Sequence, residues 1–400
     1  MENRIKEKII RIAQQKSFTN KPFFYLYDIK KIKKQLSMLK QSILPNVSIY
    51  YAIKANSNKE ILKIIKNNKV IKGFEVASVG ELEKALTEVE AAQVLFTGPG
   101  KRVPELFEAV KQRIRFINVE SLTEIHRINQ IAQEQKVGKV DILIRINPNY
   151  RIQNSVLEMT GFSTKLGIDE RYIPEVIEQI KKIDHINVKG IHVFAASGIL
   201  DYNVIVDYIK YIFNLVSWLE RDVQKLDIVD FGGGLGIDYF STGKKFDTSA
   251  FFSELNDLII KYKFQNKEFI LELGRYIVGK AGYYVSEIID IKESYNKKQV
   301  ILSGGINHLR LIKKHPFTII HMAKDCVYEE QPFVNKNVVD INGPLCFNGD
   351  KLYDDLFIDC AHIGDLFVVH LVGAYGYNMA SLNFLEHPKP EEVFYYSEGE

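Results

Sequence analysis

The stretch LDIVDFGGGLG, residues 226–236, runs from alternating apolar residues into four glycines within five positions. An apolar run that ends in glycines is typical of a buried strand followed by a tight turn, and the backbone N–H groups of such a turn can hold an anion. The next strand-like run, EFILELGRY at 268–276, ends in Gly274 and Arg275, and an arginine is suited to a phosphate. We therefore expect two neighbouring strand ends that share a phosphate site.

Eight strand-like runs of this kind alternate with segments that have the apolar spacing of helices. The runs lie at 47–55, 71–78, 92–99, 114–120, 140–148, 186–195, 225–234 and 268–276. The helical segments lie at 81–86, 104–109, 122–131, 173–183, 204–219 and 251–262. This repeated alternation predicts an α/β protein with a parallel (β/α)8 TIM-like barrel. Active sites of that fold lie at the carboxyl ends of the strands, which is where the glycine run and Arg275 fall.

A second domain is expected because the 400 residues of the chain exceed the roughly 250 of a typical barrel. Residues 1–20 have the pattern of an exposed amphipathic helix, and a strand-like run at 22–27 precedes the barrel. Short β-rich pieces follow the barrel at 283–291, 299–302, 338–341 and 366–371. We predict a barrel over 29–276 and a mostly antiparallel β domain over 1–28 plus 277–400, closed by the N-terminal strand.

The composition is typical of an ordinary globular enzyme. The formal net charge is +3 at pH 7, and no charged tract indicates a nucleic-acid partner. The N-terminus is charged from Glu2 onward, and no apolar run is long enough to cross a membrane. Neither export nor a membrane partner is therefore predicted.

The cysteines and histidines give no pattern of disulfides or metal ligands. The chain has three cysteines, Cys326, Cys346 and Cys360. Their spacing matches neither a disulfide framework nor a CxxC metal pair, so we predict a reducing, cytoplasmic setting. The isolated histidines that lack ligand-like spacing are His315, His362 and His387. We therefore predict no metal site.

Lys54 stands in YAIKAN at the end of the first barrel strand. Burial lowers the pKa of a lysine amine, and an unprotonated amine can form a Schiff base, although a lysine that reaches from a strand end to solvent is the plain alternative. Glu272, three residues before Arg275, offers a carboxylate that could keep a ring nitrogen protonated. An amine, an anion cradle and a carboxylate together describe a site for pyridoxal phosphate.

Seven motifs occur in the order seen in fold-type III pyridoxal-phosphate decarboxylases. They are YAIKAN, FEVASVGEL, GIHVFAAS, DFGGGLG, ELGRYIVG, GPLC and GAYG. Along nearly its whole length the chain resembles the ornithine and diaminopimelate decarboxylase family. The resemblance implies a homodimer with shared active sites that acts on a small amino-acid-derived substrate.

The resemblance also implies roles for individual residues. Lys54 would bind the cofactor as a Schiff base and Glu272 would pair with the pyridinium nitrogen. The other cofactor-binding positions are Glu75, His192, Phe194, Ser197, Gly233, Gly234, Gly274, Arg275 and Tyr375. Cys346 would enter the site from the partner subunit and reprotonate the α-carbon. For this cysteine the alternative is a buried, small apolar residue.

Two positions depart from the family pattern. Phe194 stands where many relatives have a second histidine, and it can stack on a ring but cannot ionise. Phe347 follows Cys346 where relatives that bind a free distal amine commonly have an acidic residue. Phe347 offers no counter-charge, so we expect a capped substrate, unless Asp350 supplies the charge or Phe347 packs in the dimer interface.

The segment from GAYG onward resembles decarboxylases of staphyloferrin B and butirosin biosynthesis, whose substrates carry the amino acid on a larger acyl group. Arg310, and His308 beside it, could meet a carboxylate of such a group, although a surface ion pair would equally explain the arginine. We predict α-decarboxylation of an amino acid acylated on its side-chain amine, such as N-citryl-ornithine or N-citryl-diaminopropionate, in carboxylate siderophore biosynthesis.

Three other functions remain open at this point. One is decarboxylation of free ornithine, lysine or diaminopimelate, and another is a non-catalytic, decarboxylase-like regulator. The presence of Lys54 and Cys346 disfavours the regulator. Racemase chemistry on the same barrel is disfavoured by Glu272, because racemases of this type usually place an arginine at the cofactor nitrogen.

Overall fold

The computed structural model describes residues 1–17, 21–152, 157–194, 196–312, 314–322 and 332–396. The chain divides into two compact units. The barrel unit comprises 35–237 and 244–277, and the β unit comprises 1–34, 238–243 and 278–400. Cys326, the last residue of the predicted run 186–195 and parts of the predicted β domain lie outside the described residues. The predicted limits of the two domains stay a prediction.

The helices and strands are numbered here in chain order. The α-helices are α1 (Asn3–Ser17), α2 (Ile29–Ser42), α3 (Lys59–Lys66), α4 (Val79–Leu86), α5 (Val103–Gln112), α6 (Leu122–Glu134), α7 (Ile173–Ile180), α8 (Tyr202–Asp222), α9 (Thr248–Lys261) and α10 (Arg275–Val278). The strands are β1 (Phe23–Asp28), β2 (Val47–Ala52), β3 (Ile71–Val76), β4 (Val94–Phe96), β5 (Phe116–Val119), β6 (Val140–Asn147), β7 (Leu157–Glu158), β8 (Ile168–Asp169), β9 (Ile186–His192), β10 (Ala196–Ser197), β11 (Ile228–Asp230), β12 (Glu268–Leu273), β13 (Gly282–Ser294), β14 (Lys297–Leu302), β15 (Phe317–Ile320), β16 (Phe333–Asn342), β17 (Lys351–His362), β18 (Leu366–His370) and β19 (Glu391–Tyr395). Across the described parts of the chain, no helix is long and apolar enough to span a membrane.

The barrel unit is a closed ring of eight parallel strands. In order, β2, β3, β4, β5, β6, β9, β11 and β12 each pair with the next, and β12 pairs with β2. These are the eight strands predicted from the apolar runs, and all six predicted helical segments overlap helices between α4 and α9. The prediction of a TIM-like barrel is confirmed.

Side chains fill the interior of the barrel. The buried cluster is Tyr50, Leu95, Phe116, Leu143, Ile228 and Ile270, from six of the eight strands. Near the amino ends of the strands, Arg115 donates a hydrogen bond to the Tyr50 hydroxyl and pairs with Glu268 at 2.6 Å. Because the interior is packed, chemistry is confined to the carboxyl ends of the strands and the turns that follow them.

The β unit is built around β13, which pairs with β1, β14 and β18. Among the described strands of this sheet the pairings are antiparallel except β1 with β19 and β14 with β16. The predicted mostly antiparallel β domain is therefore confirmed, and β1 pairs with β13 and β19 in its sheet. The N-terminal helix is not simply exposed as expected, because Ile5 and Ile9 of α1 are buried against Phe24 and Leu26 of β1.

Gly190 in β9 faces the backbone of the neighbouring strand at close range. A Cβ placed on Gly190 would lie 1.9 Å from the carbonyl oxygen of Ile228 in β11. We expect Gly190→Ala to lower the free energy of unfolding by about 3 kcal/mol, because the paired strands must move apart. Gly138→Ala is the matched control, since no atom of the described residues would lie within 4 Å of a Cβ there. Chemical denaturation measures both variants, and equal stability would contradict the expectation.

Candidate active site

Lys54 and Glu75 form an ion pair at the ends of the first two barrel strands. Lys54 lies in a single 3₁₀ turn, Ile53–Ala55, directly after β2, and Glu75 lies in β3. The lysine Nζ is 2.9 Å from each carboxylate oxygen of Glu75. Burial raises the pKa of Glu75 to about 7, although the lysine charge acts in the opposite direction. The amine therefore stands beside a carboxyl group that exchanges its proton near neutral pH.

Glu272 in β12 is surrounded by polar side chains from four other strand ends. Thr97 Oγ1 and Asn118 Nδ2 each lie 3.4 Å from Glu272 Oε1 and donate to it. His192 Nε2 lies 3.6 Å from Glu272 Oε2. Asp230 completes the group, with a carboxylate oxygen within 4.8 Å of both His192 and Glu272. Burial alone would raise the pKa of Glu272, but the neighbouring His192, Lys54 and Asp230 hold it low, at about 2.

Burial favours the neutral forms of two neighbours of Glu272. Burial and the adjacent Glu272 carboxylate raise the pKa of Asp230 well above its ordinary value. Burial lowers the pKa of His192, although the adjacent Glu272 carboxylate acts in the opposite direction. Among the described residues, Asp230 Oδ2 and both ring nitrogens of His192 are buried without a hydrogen-bond partner. A buried, ionised carboxylate beside such orphaned polar atoms fits a ligand that brings a protonated ring nitrogen.

The turn after β11 brings backbone close to Phe194. Gly232 has a φ of +63°, in the left-handed region, and a Cβ on it would lie 2.7 Å from Phe194 Cβ. The Phe194 ring carbon Cε2 would lie 3.8 Å from a Cβ on Gly233. The aromatic ring therefore packs on the glycine turn that continues into Gly234. Ser197, in the short strand β10, is partly exposed on the segment after Phe194.

The end of β12 packs closely on the turn that carries Lys54. A Cβ on Gly274 would lie 2.7 Å from Ala55 Cβ, so a larger residue would separate the two strand ends. Arg275, the first residue of α10, is 6% exposed. The barrel unit thus gathers an amine, an ionised carboxylate, a glycine turn and a buried guanidinium at the carboxyl ends of its strands. This set of groups fits pyridoxal phosphate.

The remaining predicted site residues belong to the β unit. Cys346 is exposed, and Phe347 beside it is 54% exposed. Arg310 is exposed, and its backbone N–H donates to the carbonyl of Gly376. Tyr375 is partly exposed and has a φ of 68°. Cys346 is therefore not the buried, small apolar residue that was its alternative.

Asp350 does not have the geometry expected of a counter-charge for a substrate amine. It is 3% exposed, and its two carboxylate oxygens accept backbone N–H groups from Ile306 at 2.7 Å and Leu345 at 2.8 Å. The two nearby acidic residues pair with lysines, Asp354 with Lys351 at 2.7 Å and Asp355 with Lys297 at 2.8 Å. The carboxylate of Asp350 organises the loop that carries Cys346.

His308 is also engaged within the β unit. Its Nε2 lies 2.8 Å from the carbonyl oxygen of Pro388, and its Nδ1 lies 3.0 Å from the hydroxyl of Tyr284. Burial lowers the pKa of His308 to about 4. A neutral, buried imidazole with both nitrogens occupied is a poor partner for a carboxylate. The expectation that His308 could meet one is therefore disfavoured, and Arg310 is the better candidate.

Comparison with known proteins identifies the family. Residues 29–279 match the family described as pyridoxal-dependent decarboxylase, pyridoxal binding domain. A Staphylococcus aureus protein, 2-((L-alanin-3-ylcarbamoyl)methyl)-2-hydroxybutanedioate decarboxylase, is 34% identical over 389 residues, 96% of each chain. This chain belongs to the pyridoxal-dependent decarboxylase family. The enzyme is accordingly a carboxy-lyase that uses pyridoxal phosphate to decarboxylate an amino-acid substrate.

Further relatives of this decarboxylase differ in their substrates. The L-glutamyl-(BtrI acyl-carrier protein) decarboxylase of Niallia circulans is 31% identical over 92% of this chain and 88% of its own. The crystal structure of diaminopimelate decarboxylase from Helicobacter pylori complexed with L-lysine is 28% identical, with a TM-score of 0.83. That similarity covers 96% of this chain and 94% of the other.

The sequence interpretation of the decarboxylase missed Thr97, Asn118 and Asp230. Each is a polar residue within or directly after an apolar strand, and all three are buried. Asp230 had a recognisable signal, because it is an acidic residue at the end of a buried strand and directly before the glycine turn. Thr97 and Asn118 had no recognisable signal in the sequence, because a single small polar residue in or after a strand is common.

Asp230 can be tested through two replacements that differ in hydrogen bonding. Asp230→Asn keeps a polar side chain that can donate beside Glu272, whereas Asp230→Leu removes it and should raise the pKa of Glu272. We expect kcat to fall about 10–100-fold in Asp230→Leu and to stay near wild type in Asp230→Asn. A pH titration of the bound cofactor's absorbance should shift only in Asp230→Leu. Equal losses in both variants would contradict this role.

Proposed function

We propose that this decarboxylase acts on an α-amino acid whose side-chain amine is acylated by a polycarboxylate, in carboxylate siderophore biosynthesis. N-citryl-diaminopropionate and N-citryl-ornithine are the candidate substrates. The supporting observation is in the loop of Cys346, where Phe347 is exposed and both oxygens of Asp350 accept backbone N–H groups. A free diamino acid would bring an ammonium group that needs a counter-charge, whereas an acylated amine carries no charge.

The name of the S. aureus relative supports the same class of substrate. It describes an alanine joined at its C3 through an amide to a hydroxy-polycarboxylate. Such a substrate would present carboxylates beyond the amide. Arg310 is exposed and in the same unit as Phe347, and its guanidinium can bind a carboxylate through two hydrogen bonds. We therefore assign Arg310 to the acyl end of the substrate.

For the cofactor, we propose that Lys54 attaches it covalently and that Glu272 binds its ring nitrogen. Gly233, Gly234, Gly274, Arg275 and Ser197 would hold the phosphate, and Phe194 would lie against the ring. When bound, pyridoxal phosphate supplies the sink for the electron pair left by departing carbon dioxide. Tyr375 as a phosphate ligand stays a prediction.

The protein residues control where protons are held during this reaction. Glu272, ionised because its neighbours lower its pKa, keeps the proton on the ring nitrogen. Asp230 lies within 4.8 Å of Glu272, and its protonated carboxyl can donate to that carboxylate. Glu75 lies 2.9 Å from the Lys54 amine and can take up or return a proton when the lysine is displaced. Cys346 would deliver a proton to the α-carbon.

The substrate proposal is tested by offering the cofactor-loaded enzyme N-citryl-diaminopropionate, N-citryl-ornithine and the free amino acids in parallel. Carbon dioxide release and product mass are measured. We expect kcat/KM for a citryl substrate to exceed that for free ornithine, lysine or diaminopimelate by at least about 100-fold. Preference for a free amino acid would overturn the acyl assignment. No turnover of any of these substrates, despite normal cofactor absorbance, would favour a non-catalytic, regulatory protein.

A counter-charge for a substrate ammonium group can be introduced by substituting Phe347. Phe347→Asp should shift the ratio of kcat/KM toward free ornithine by about 10-fold, because the new carboxylate can pair with the distal ammonium. Phe240→Asp is the matched control, since Phe240 is similarly exposed, at 59%, and lies outside the Cys346 loop. The same shift in both variants would exclude a specific role for Phe347.

We further propose a cytoplasmic location, which rests only on the absence of disulfide spacing among the cysteines.

We also propose a homodimer in which the partner subunit supplies Cys346. Lys54→Ala and Cys346→Ala should each be nearly inactive. Mixed in equal amounts and allowed to exchange subunits, they should recover about one quarter of wild-type activity, since half of the dimers then hold one intact site of two. Each variant mixed with itself is the control. Failure to recover despite proven exchange would place both residues in a site within one chain.

A further inference from the structure

Two histidines and an aspartate meet at one end of the sheet in the β unit. His321 directly follows β15, His362 ends β17, and Asp365 directly precedes β18. Ile320 and Leu366 are paired in the β15–β18 ladder, which places His321 opposite Asp365. The tight turn between β17 and β18 brings His362 to the same place. Spacing along the chain did not reveal this group, because strand pairing and not sequence proximity assembles it.

The distances in this cluster lie on either side of the ligand spacing of a tetrahedral ion. Asp365 Oδ2 is in hydrogen-bonding contact with His321 Nδ1 at 2.8 Å and lies 3.5 Å from His362 Nδ1. Bonds of about 2.0–2.2 Å at tetrahedral angles separate nitrogen and oxygen ligands by about 3.3 Å. Cys360 Sγ lies 3.9 Å from His362 Nδ1, close to the roughly 3.6 Å expected when one ligand is a thiolate. Two strand positions apart, Cys360 and His362 project from the same face of β17.

The protein holds these ligands in place. The Asp365 side chain is 3% exposed, and its oxygens accept the backbone N–H groups of His362 at 2.8 Å and Met322 at 3.1 Å. The Phe333 ring stacks on the His362 imidazole with a centroid distance of 5.6 Å and an interplanar angle of 16°. Two imidazole nitrogens thus converge on one fixed carboxylate oxygen. A cation bound here would replace the hydrogen bond between His321 and Asp365 and contact all three atoms at once.

We propose that His321, His362 and Asp365, whose ligand atoms lie within 4.8 Å of one another, bind a zinc-class divalent ion, and that the Cys360 side chain turns in as the fourth ligand. Imidazole, thiolate and carboxylate are ligands of zinc, whereas magnesium and calcium prefer oxygen alone. The bound ion would tie the ends of β15, β17 and β18 together. The site is built entirely within the β unit and is independent of the proposed substrate.

The experiment measures zinc affinity of the full-length, cofactor-loaded enzyme by competition with a chromogenic chelator. We expect one ion per chain, and a loss of affinity of at least about 100-fold in His321→Asn and His362→Asn. His126→Asn is the matched control, because His126 is an exposed histidine on α6, outside the cluster. Unchanged cofactor absorbance verifies that each variant is folded. Equal affinity in all four proteins would overturn the site.

The identity of the ligands needs a second measurement. X-ray absorption at the zinc edge should show one sulfur and two imidazole neighbours, and Cys360→Ser should remove the sulfur signal and leave the imidazoles. Magnesium at a 100-fold excess over zinc should not displace the zinc. A selectivity of at least about 100-fold for zinc is expected of nitrogen and sulfur ligands, because magnesium prefers oxygen ligands. A sulfur signal that survives in Cys360→Ser, or competition by magnesium, would overturn the proposed ligand set.

Discussion

The ionisation of Glu272 inside a packed barrel is the constraint on which the active site depends. A buried carboxylate keeps its charge only if neighbouring groups compensate for the loss of water. Here Thr97, Asn118 and His192 surround it, and Asp230, whose pKa is raised by burial, lies beside it. These side chains come from separate strands, so the charge state of one glutamate requires the whole ring to close. The closed barrel is therefore required for the ionised glutamate on which the chemistry depends.

Much of this arrangement could be predicted from the sequence, for a physical reason. The barrel strands are buried on both faces and read as continuous apolar runs, and Lys54, Glu272 and Arg275 stand at their ends. Strands of the β unit such as β17 carry acidic residues on an exposed face, so their pattern is weaker and β17 was missed. Asp350 shows the limit for the site, since the sequence cannot tell whether a carboxylate faces a substrate or its own backbone.

The loop of Cys346 separates two tasks that lie close together in sequence. Asp350 bonds to backbone N–H groups of Ile306 and Leu345 and so fixes the path of the loop. Phe347 packs only loosely, with its ring centroid 6.4 Å from that of Phe384. Substitution of Asp350 would leave buried donors unpaired, whereas substitution of Phe347 would change a solvent-facing side chain. The loop can therefore keep its shape while its chemical preference changes.

This difference gives a physical route by which one reaction could come to serve different substrates. The polar cluster around Glu272 tolerates little change, because each missing partner leaves a buried polar atom unsatisfied at roughly 1–3 kcal/mol. An exposed residue such as Phe347 carries no such penalty. Substrate preference can then drift at exposed loop positions without disturbing the charge balance in the barrel. On this argument a change of substrate preference would require substitutions at exposed loop positions and none among the buried partners of Glu272.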